Sequence, residues 1–232
     1  MTADKSSSRT RVPVVALDGP SGSGKGTISR RLAAQLGWHF LDSGALYRLV
    51  ALAAQRRGIA LDDSAALAEL AGSLQVGFGP PDGEQVFLGE EEVSEVLRSE
   101  KCGEAASQVA RLPVVRRALL ERQRAFARAP GLVADGRDMG TVVFPDAVLK
   151  VFLTASPEER ARRRHNQLKE KGIDVSLPHL SREIAERDRR DASRSVAPLR
   201  PAEDARVVDS TSLTVDAVLA RVTQWLAELG VG

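Results

Sequence analysis

Gly19-Pro20-Ser21-Gly22-Ser23-Gly24-Lys25 is the segment of this chain best suited to chemistry. Glycines let a backbone curl until several N–H groups aim at one anion. A lysine closing such a curl can reach the outer phosphates of a nucleotide as a point charge. A helix starting there adds the partial positive charge of its N-terminus. The spacing G-x-x-x-x-G-K is met by Gly19, Gly24 and Lys25, but the next residue is Gly26, and a hydroxyl arrives only at Thr27. A hydroxyl directly after the lysine ordinarily touches Mg²⁺. Here the ion is expected to be held more by phosphate oxygens and water, with Thr27 and Asp135 acting through water. The competing reading is a glycine-rich turn that binds nothing.

Three further segments carry charge in suggestive places. In Asp42-Ser43-Gly44-Ala45-Leu46-Tyr47-Arg48, Ser43 and Arg48 fall around the first turn of a helix and can hold one anion together; taken alone, the segment is better explained by an N-cap serine and a surface arginine. Asp135-Gly136-Arg137-Asp138-Met139-Gly140 follows an apolar run. Asp135 can face the water shell of a metal, Arg137 can clamp a phosphate, and Asp138 can accept a hydrogen bond from an amino group. On a helix, Arg187, Asp191 and Arg194 share a face, and Arg190 lies three residues from Arg187. That cluster can close over phosphates, or it can be a solvated face laced with ion pairs. Arg162-Arg163-Arg164 is a weaker candidate of the same kind.

The elements that must position these groups follow from periodicity. Apolar runs at 13–18, 38–41, 132–135, 148–153 and 206–209 read as buried strands. Helices are expected at 25–36, 44–57, 100–111, 114–129, 157–171 and 177–194, with a break at Pro113 and a start at Pro157. The last helix is marked by Val215, Val218, Leu219, Val222, Trp225, Leu226 and Leu229 at helical spacing. Between these lie an amphipathic helix around Leu67 to Leu74 and a hairpin, 76–78 with 85–88, turning at Asp82-Gly83. Helix and hairpin together suggest an inserted subdomain at 58–100. Strands alternating with helices mean parallel βαβ units and an α/β fold. In such folds, ligands bind outside the C-terminal ends of the strands.

Composition narrows the function classes. The 232 residues carry 33 Lys+Arg against 31 Asp+Glu, a net charge of +2 that does not suggest a general nucleic-acid binder. The charge is uneven: residues 160–194 hold 11 basic and 6 acidic side chains. A single cysteine, Cys102, excludes a disulfide scaffold and fits a reducing compartment, so a cytoplasmic location is expected. No apolar run is long enough to cross a membrane, and 1–11 reads as a polar, frayed tail without a signal sequence. No Asn-Lys-x-Asp motif for reading a guanine base is present.

Five stretches resemble the bacterial cytidylate kinase family: 19–27, 41–48, Ala-Ser-Gln-Val-Ala at 106–110, 134–147, and 187–199 with its Arg-Asp-x-Arg-Asp-x-x-Arg. The similarity runs from about 12 to 229. The family also has Gly-Lys-Gly-Thr where this chain has Gly24 to Thr27. The resemblance implies a P-loop three-layer α/β sandwich around a central parallel sheet, with an NMP-binding domain and a helical lid. The parts expected are core at 12–43, NMP-binding domain at 44–112 including the insert, core at 113–159, lid at 160–196 and core at 197–232.

The resemblance also implies roles. Gly19, Pro20, Ser21, Gly22, Ser23, Gly24, Lys25, Gly26 and Thr27 would hold ATP. Ser43, Arg48, Arg137 and Arg194 would hold the CMP phosphate, with Tyr47 beside them. Ser107, Arg116 and Asp138 would read cytosine; Arg116 sits in a short Leu-Pro-Val-Val-Arg motif. Arg187 and Asp191 would contact the sugar, and Arg190 would reach the transferred phosphoryl group. Lys25, Arg137, Arg190 and Arg194 are then the catalytic set. The reaction implied is ATP plus CMP or dCMP giving ADP plus CDP or dCDP, with Mg²⁺, in a monomer without nucleic-acid or membrane partners. The rivals are another P-loop small-molecule kinase, of UMP/CMP or shikimate and gluconate type, and a non-catalytic nucleic-acid module built on 160–194.

Overall fold

The run Val14-Val15-Ala16-Leu17-Asp18 forms strand β1 (Val14–Asp18), buried along its whole length. The computed structural model describes residues 12–80, 85–170 and 172–231. After β1 come α1 (Lys25–Leu36), β2 (His39–Asp42), α2 (Ser43–Arg56), α3 (Ser64–Ser73), β3 (Val76–Phe78), β4 (Val86–Leu88), β5 (Glu91–Glu92), α4 (Ser94–Leu97), α5 (Glu100–Val109) and α6 (Pro113–Arg124). The second half contains β6 (Leu132–Gly136), a π turn (Met139–Val143), β7 (Leu149–Thr154), α7 (Pro157–Glu170), α8 (Leu177–Ala192), β8 (Arg206–Asp209) and α9 (Val215–Glu228).

Five strands form one parallel sheet in the order β2-β6-β1-β7-β8. Side chains alternate across it, as the two-residue period of a strand requires. Val15 and Leu17 point into a core with Ile28, Leu32, Val222 and Leu226 from α1 and α9. Val14 and Ala16 point the other way, toward α2, α3, α5 and α6 through residues such as Val50, Leu70, Val109 and Leu119. Helices on both faces make the three-layer α/β sandwich that continuous apolar strands demand.

Register brings the chemistry to one edge. Asp42 pairs with Asp135, and Asp18 pairs with Gly136 on one side and Phe152 on the other. Three carboxylates therefore end three adjacent strands where the phosphate loop leaves β1.

Most expected elements are present, and the differences have local causes. Pro113 opens α6 instead of breaking a helix, since a first-turn proline gives up no helical hydrogen bond. That helix stops at Arg124, not near 129. The chain tightens there through Phe126 N–H to Gln123 O and Ala127 N–H to Arg124 O, and Phe126 leaves to meet Phe78 of β3 edge-on at 5.5 Å. Helix α8 ends at Ala192, so Arg194 lies just beyond it. The π turn follows the Asp135 to Asp138 segment, where no helix is expected, and the short elements β5 and α4 carry no periodic signal. The β3–β4 pairing matches the expected hairpin, with Val76 opposite Leu88. Its Asp82-Gly83 turn, the 1–11 tail and the end of α7 at Lys171 lie outside the described residues.

Candidate active site

The phosphate loop begins with a close approach. A Cβ on Gly19 would sit 2.0 Å from the Leu153 carbonyl oxygen, so only glycine lets the chain leave β1 against β7. Gly24 precedes α1 at φ 92°, the left-handed region that favours glycine. No side chain caps α1, and its first turn carries no acid. Its leading amides are therefore left to an anion.

Lys25 is buried, donates to Pro20 O at 3.1 Å and stands 4.0 Å from Asp135. Burial, followed by the nearby Arg137 charge, lowers the ammonium to about 8. Burial raises Asp135 to about 6, against the pull of Lys25. The loop is also gripped from behind. Arg160 donates to Ser21 O at 3.1 Å, and Arg163 and Ser210 donate to Ser23 O at 3.3 and 3.0 Å. Arg160 closes a two-point pair with Asp188 of α8 at 3.0 and 2.5 Å. Thus α7 and α8 are tied to the loop through guanidinium groups, which suit such forked contacts.

A cavity of about 610 Å³ opens over Ser21 to Thr27 and is walled by Arg48, Arg187 and Arg190. Burial, then the Arg137 and Arg48 charges, lowers Arg187 to about 9. The Nε atoms of Arg187 and Arg190 are buried without a hydrogen-bond partner. Clustered like charges with unspent donors are costly, and phosphate oxygens would remove that cost. Arg48 donates to Leu97 O and, at 3.4 Å, to Ser99 O. Arg164 joins α7 to the start of α5, with Nε to Glu100 at 2.6 Å and Nη2 to Arg98 O at 3.1 Å.

The remaining residues of interest form a buried knot beside this cavity. Asp191 accepts from Arg137 Nε at 3.0 Å and from Arg194. Burial would raise its carboxyl, but Arg137 and Arg194 outweigh burial and hold it below the usual range. Asp138 is paired with Arg116, whose guanidinium also lies 5.6 Å from the Tyr47 ring centre. Burial drives the Tyr47 phenol up to about 12. Ser107 Oγ is buried with no hydrogen-bond partner. Ser43 donates to Gln123 Oε1 at 2.6 Å.

The structure therefore brings the expected residues together in two adjoining sets. Lys25, Arg48, Arg187 and Arg190 face the open cavity. Arg116, Asp138, Arg137, Asp191 and Arg194 are joined in the knot, near Tyr47. Besides Arg160 and Ser210 behind the loop, sequence reasoning missed two supporting residues here. Gln123 holds Ser43, and its place one helical face from Arg116 and Leu119 on α6 was a usable signal. Asp18 accepts from the Met139 and Gly140 N–H groups, both at 2.8 Å; a charge ending an otherwise apolar strand was the clue. Among the described residues, no three His, Cys, Asp or Glu side chains are grouped so as to hold a metal ion.

A lysine-bearing phosphate loop facing a second wall of guanidinium groups defines a P-loop phosphotransferase. The sequence profile of cytidylate kinases matches residues 15–228. A cytidylate kinase of Methylococcus capsulatus is 60% identical over 208 residues, 90% of this chain and 94% of that one. Those of Stutzerimonas stutzeri and Nitrosococcus oceani are 60% and 58% identical over 220 and 221 residues, spanning 94% and 93% of this chain and 96% of each relative. The chain belongs to the cytidylate kinase family. A solved gluconokinase from Sinorhizobium meliloti matches at 18% identity over 94% of this chain and 98% of its own, with a TM-score of 0.46, too low to bear on the reaction.

Proposed function

We infer that this chain transfers the γ-phosphoryl group of ATP to CMP or dCMP, giving ADP and CDP or dCDP. One observation carries the reading: Lys25 and the guanidinium groups of Arg48, Arg187 and Arg190 converge on a single cavity over the phosphate loop. Two phosphate chains meeting end to end repel, and such convergence is what makes their approach tolerable.

In this reading residues 19–27 hold the ATP phosphates. Ser43, Arg48, Arg137 and Arg194 hold the acceptor phosphate, with Tyr47 as its buried neighbour. Asp138 accepts from the cytosine amino group, steadied by Arg116, and Ser107 spends its free hydroxyl on the base. Arg187 and Asp191 contact the sugar. An acceptor phosphate oxygen is already anionic near neutral pH, so it attacks the γ-phosphorus without a general base. The new O–P bond forms as the bond to the ADP oxygen breaks. Lys25, Arg137, Arg190 and Arg194 stabilise the charge spread over the transferring group, by placement more than by proton transfer.

The site suits Mg²⁺ of the loosely held kind. The buried Asp135 carboxylate beside Lys25 and the exposed Thr27 offer oxygen donors, but among the described residues no cage of three His, Cys, Asp or Glu side chains surrounds them. Bound with ATP, the ion would neutralise charge between the β- and γ-phosphates. We read residues 58–100 as an insert of the NMP-binding domain and 160–196 as a lid that excludes water when closed. No described helix is long and apolar enough to cross a membrane. The same reading has the chain working in the cytoplasm as a monomer.

The test is ADP release coupled to a visible readout, with Mg-ATP against CMP, dCMP, UMP and AMP. CMP and dCMP should stimulate turnover well above UMP and AMP. Absence of stimulation by CMP overturns the reading.

A further inference from the structure

A second cavity, of about 600 Å³, lies beside the first and shares Arg30, Arg48, Arg98 and Arg164 with it; of its lining only Arg48 has a part in the reaction as read above. Its size is ordinary for a small-molecule site. It sits between the β3–β4 hairpin, the ends of β2 and α6, and one side of α2. On α2, Ser43 reaches Gln123 and Tyr47 lies against Arg116, whereas Asp42, Ala45 and Arg48 line the second cavity. The helix thus separates this cavity from the proposed cytosine pocket.

The wall is cationic. Arg30, Arg48, Arg98, Arg122, Arg128 and Arg164 line it against one carboxylate, Asp42, which already accepts from the Ala45 N–H at 3.0 Å. Arg122 Nη1 is buried with no hydrogen-bond partner. A buried charged donor left unmade is expensive, and an anion would satisfy it. The lining also has flat apolar surface. Phe78 and Phe126 meet edge-on, and the Arg30 guanidinium lies 5.4 Å from the Phe40 ring centre. Arginines select phosphate, while the half-buried rings of Phe40, Phe78 and Phe126 offer aromatic surface to a ring.

We propose that this cavity is a second ligand site for a ring-bearing phosphate compound of the nucleotide class, coupled to acceptor binding through Arg48. Arg48 lines both cavities. One guanidinium cannot serve two phosphates fully, so a ligand here weakens the hold on CMP. The coupling, though not the site, rests on the reading of Arg48 as a holder of the acceptor phosphate.

The test is calorimetric titration of the full chain with metal-free GTP and, separately, with inorganic tripolyphosphate. Wild type should show two classes of GTP site. The Arg122→Ala/Arg128→Ala variant should weaken one class by about tenfold or more, with kcat and KM for ATP and CMP unchanged. Lys25→Met should weaken the other class. Arg128 is exposed, so Arg128→Glu alone should give the same selective loss without threatening the fold. A single class in wild type, or two classes surviving both arginine variants, overturns the site. Tripolyphosphate binding as tightly as GTP overturns the ring-binding part. At saturating ATP, GTP should raise KM for CMP in wild type and not in the double variant. If the site is present but KM for CMP ignores it, the coupling fails, while the site and the transfer reaction, tested separately by ADP release with CMP, stand.

Discussion

The Asp18 carboxylate lies 2.8 Å from the Gly140 amide nitrogen and accepts its hydrogen, although 122 residues separate the two. Its other oxygen accepts from Met139 at the same distance. A strand end thereby sets the direction of the backbone that leads out of Arg137 and Asp138. The carboxyl is buried, and burial raises it to about 7 despite both amides.

That shift has a definite sign. Between about pH 4 and pH 7 the folded chain keeps a proton on Asp18 that the unfolded chain has lost. The stability this group contributes is full below about pH 4 and declines as pH rises through 7. The slope is at most about 1.4 kcal/mol per pH unit for one group. Asp18→Asn should remove this slope while leaving that of Asp135. It should also cost about 1–3 kcal/mol, because the amide has one acceptor oxygen for two N–H groups. Urea unfolding across about pH 5 to 8 checks both statements; parallel wild-type and variant curves would refute the titration of Asp18.

Arg190→Ala should lower kcat by roughly 10³-fold or more while changing KM for either substrate little, as expected of a guanidinium that acts on transition-state charge. Its only ion pair among the described residues is a long one, 3.9 Å to Glu104, so structural loss should be small. Steady-state kinetics with an unchanged melting temperature is the expected pair of results. Normal turnover would reduce Arg190 to a surface charge.

Arg160→Ala should destabilise the fold by about 2–4 kcal/mol, since it breaks a mostly buried pair and frees the Ser21 carbonyl. Asp188→Asn should cost less, and the double variant should show coupling of about 1 kcal/mol or more. The same changes should raise KM for ATP, because Arg160 braces the loop without touching ATP in the reading above. Additive stabilities and an unaltered KM would separate the clasp from nucleotide binding.

Ser107→Ala and Asp138→Asn should narrow the preference for CMP over UMP by about tenfold each. A site built to pair with an amino group rejects an analogue lacking it through its own unsatisfied groups. The ratio of kcat/KM for the two acceptors is the measurement. A ratio untouched by both substitutions would remove these residues from base reading.

Much of this was legible in the residues because strands and phosphate loops are local. The apolar run ending at Asp18, the glycines before Lys25 and the spacing of α9 each follow from a few neighbours. Charge counting alone found the basic segment that holds Arg187 and Arg190. What escaped depends on distant partners. Nothing near Arg160 in the chain says that it holds Ser21, and Gln123 gains meaning only once α6 lies against Ser43. The π turn at Met139 exists because Asp18 fixes its first amides from another strand. Arg122, on a helix from which only Arg116 was singled out, gave no hint that its guanidinium would end in a cavity.

Arg164 belongs to α7 and touches Gln167 there at 3.4 Å, yet its two shorter hydrogen bonds fall on Glu100 and Arg98, outside its own helix. In the lid reading proposed above, any swing of 160–196 away from the acceptor side has to give up these two contacts first. One guanidinium then stands as the latch through which the two halves of the cleft answer to each other.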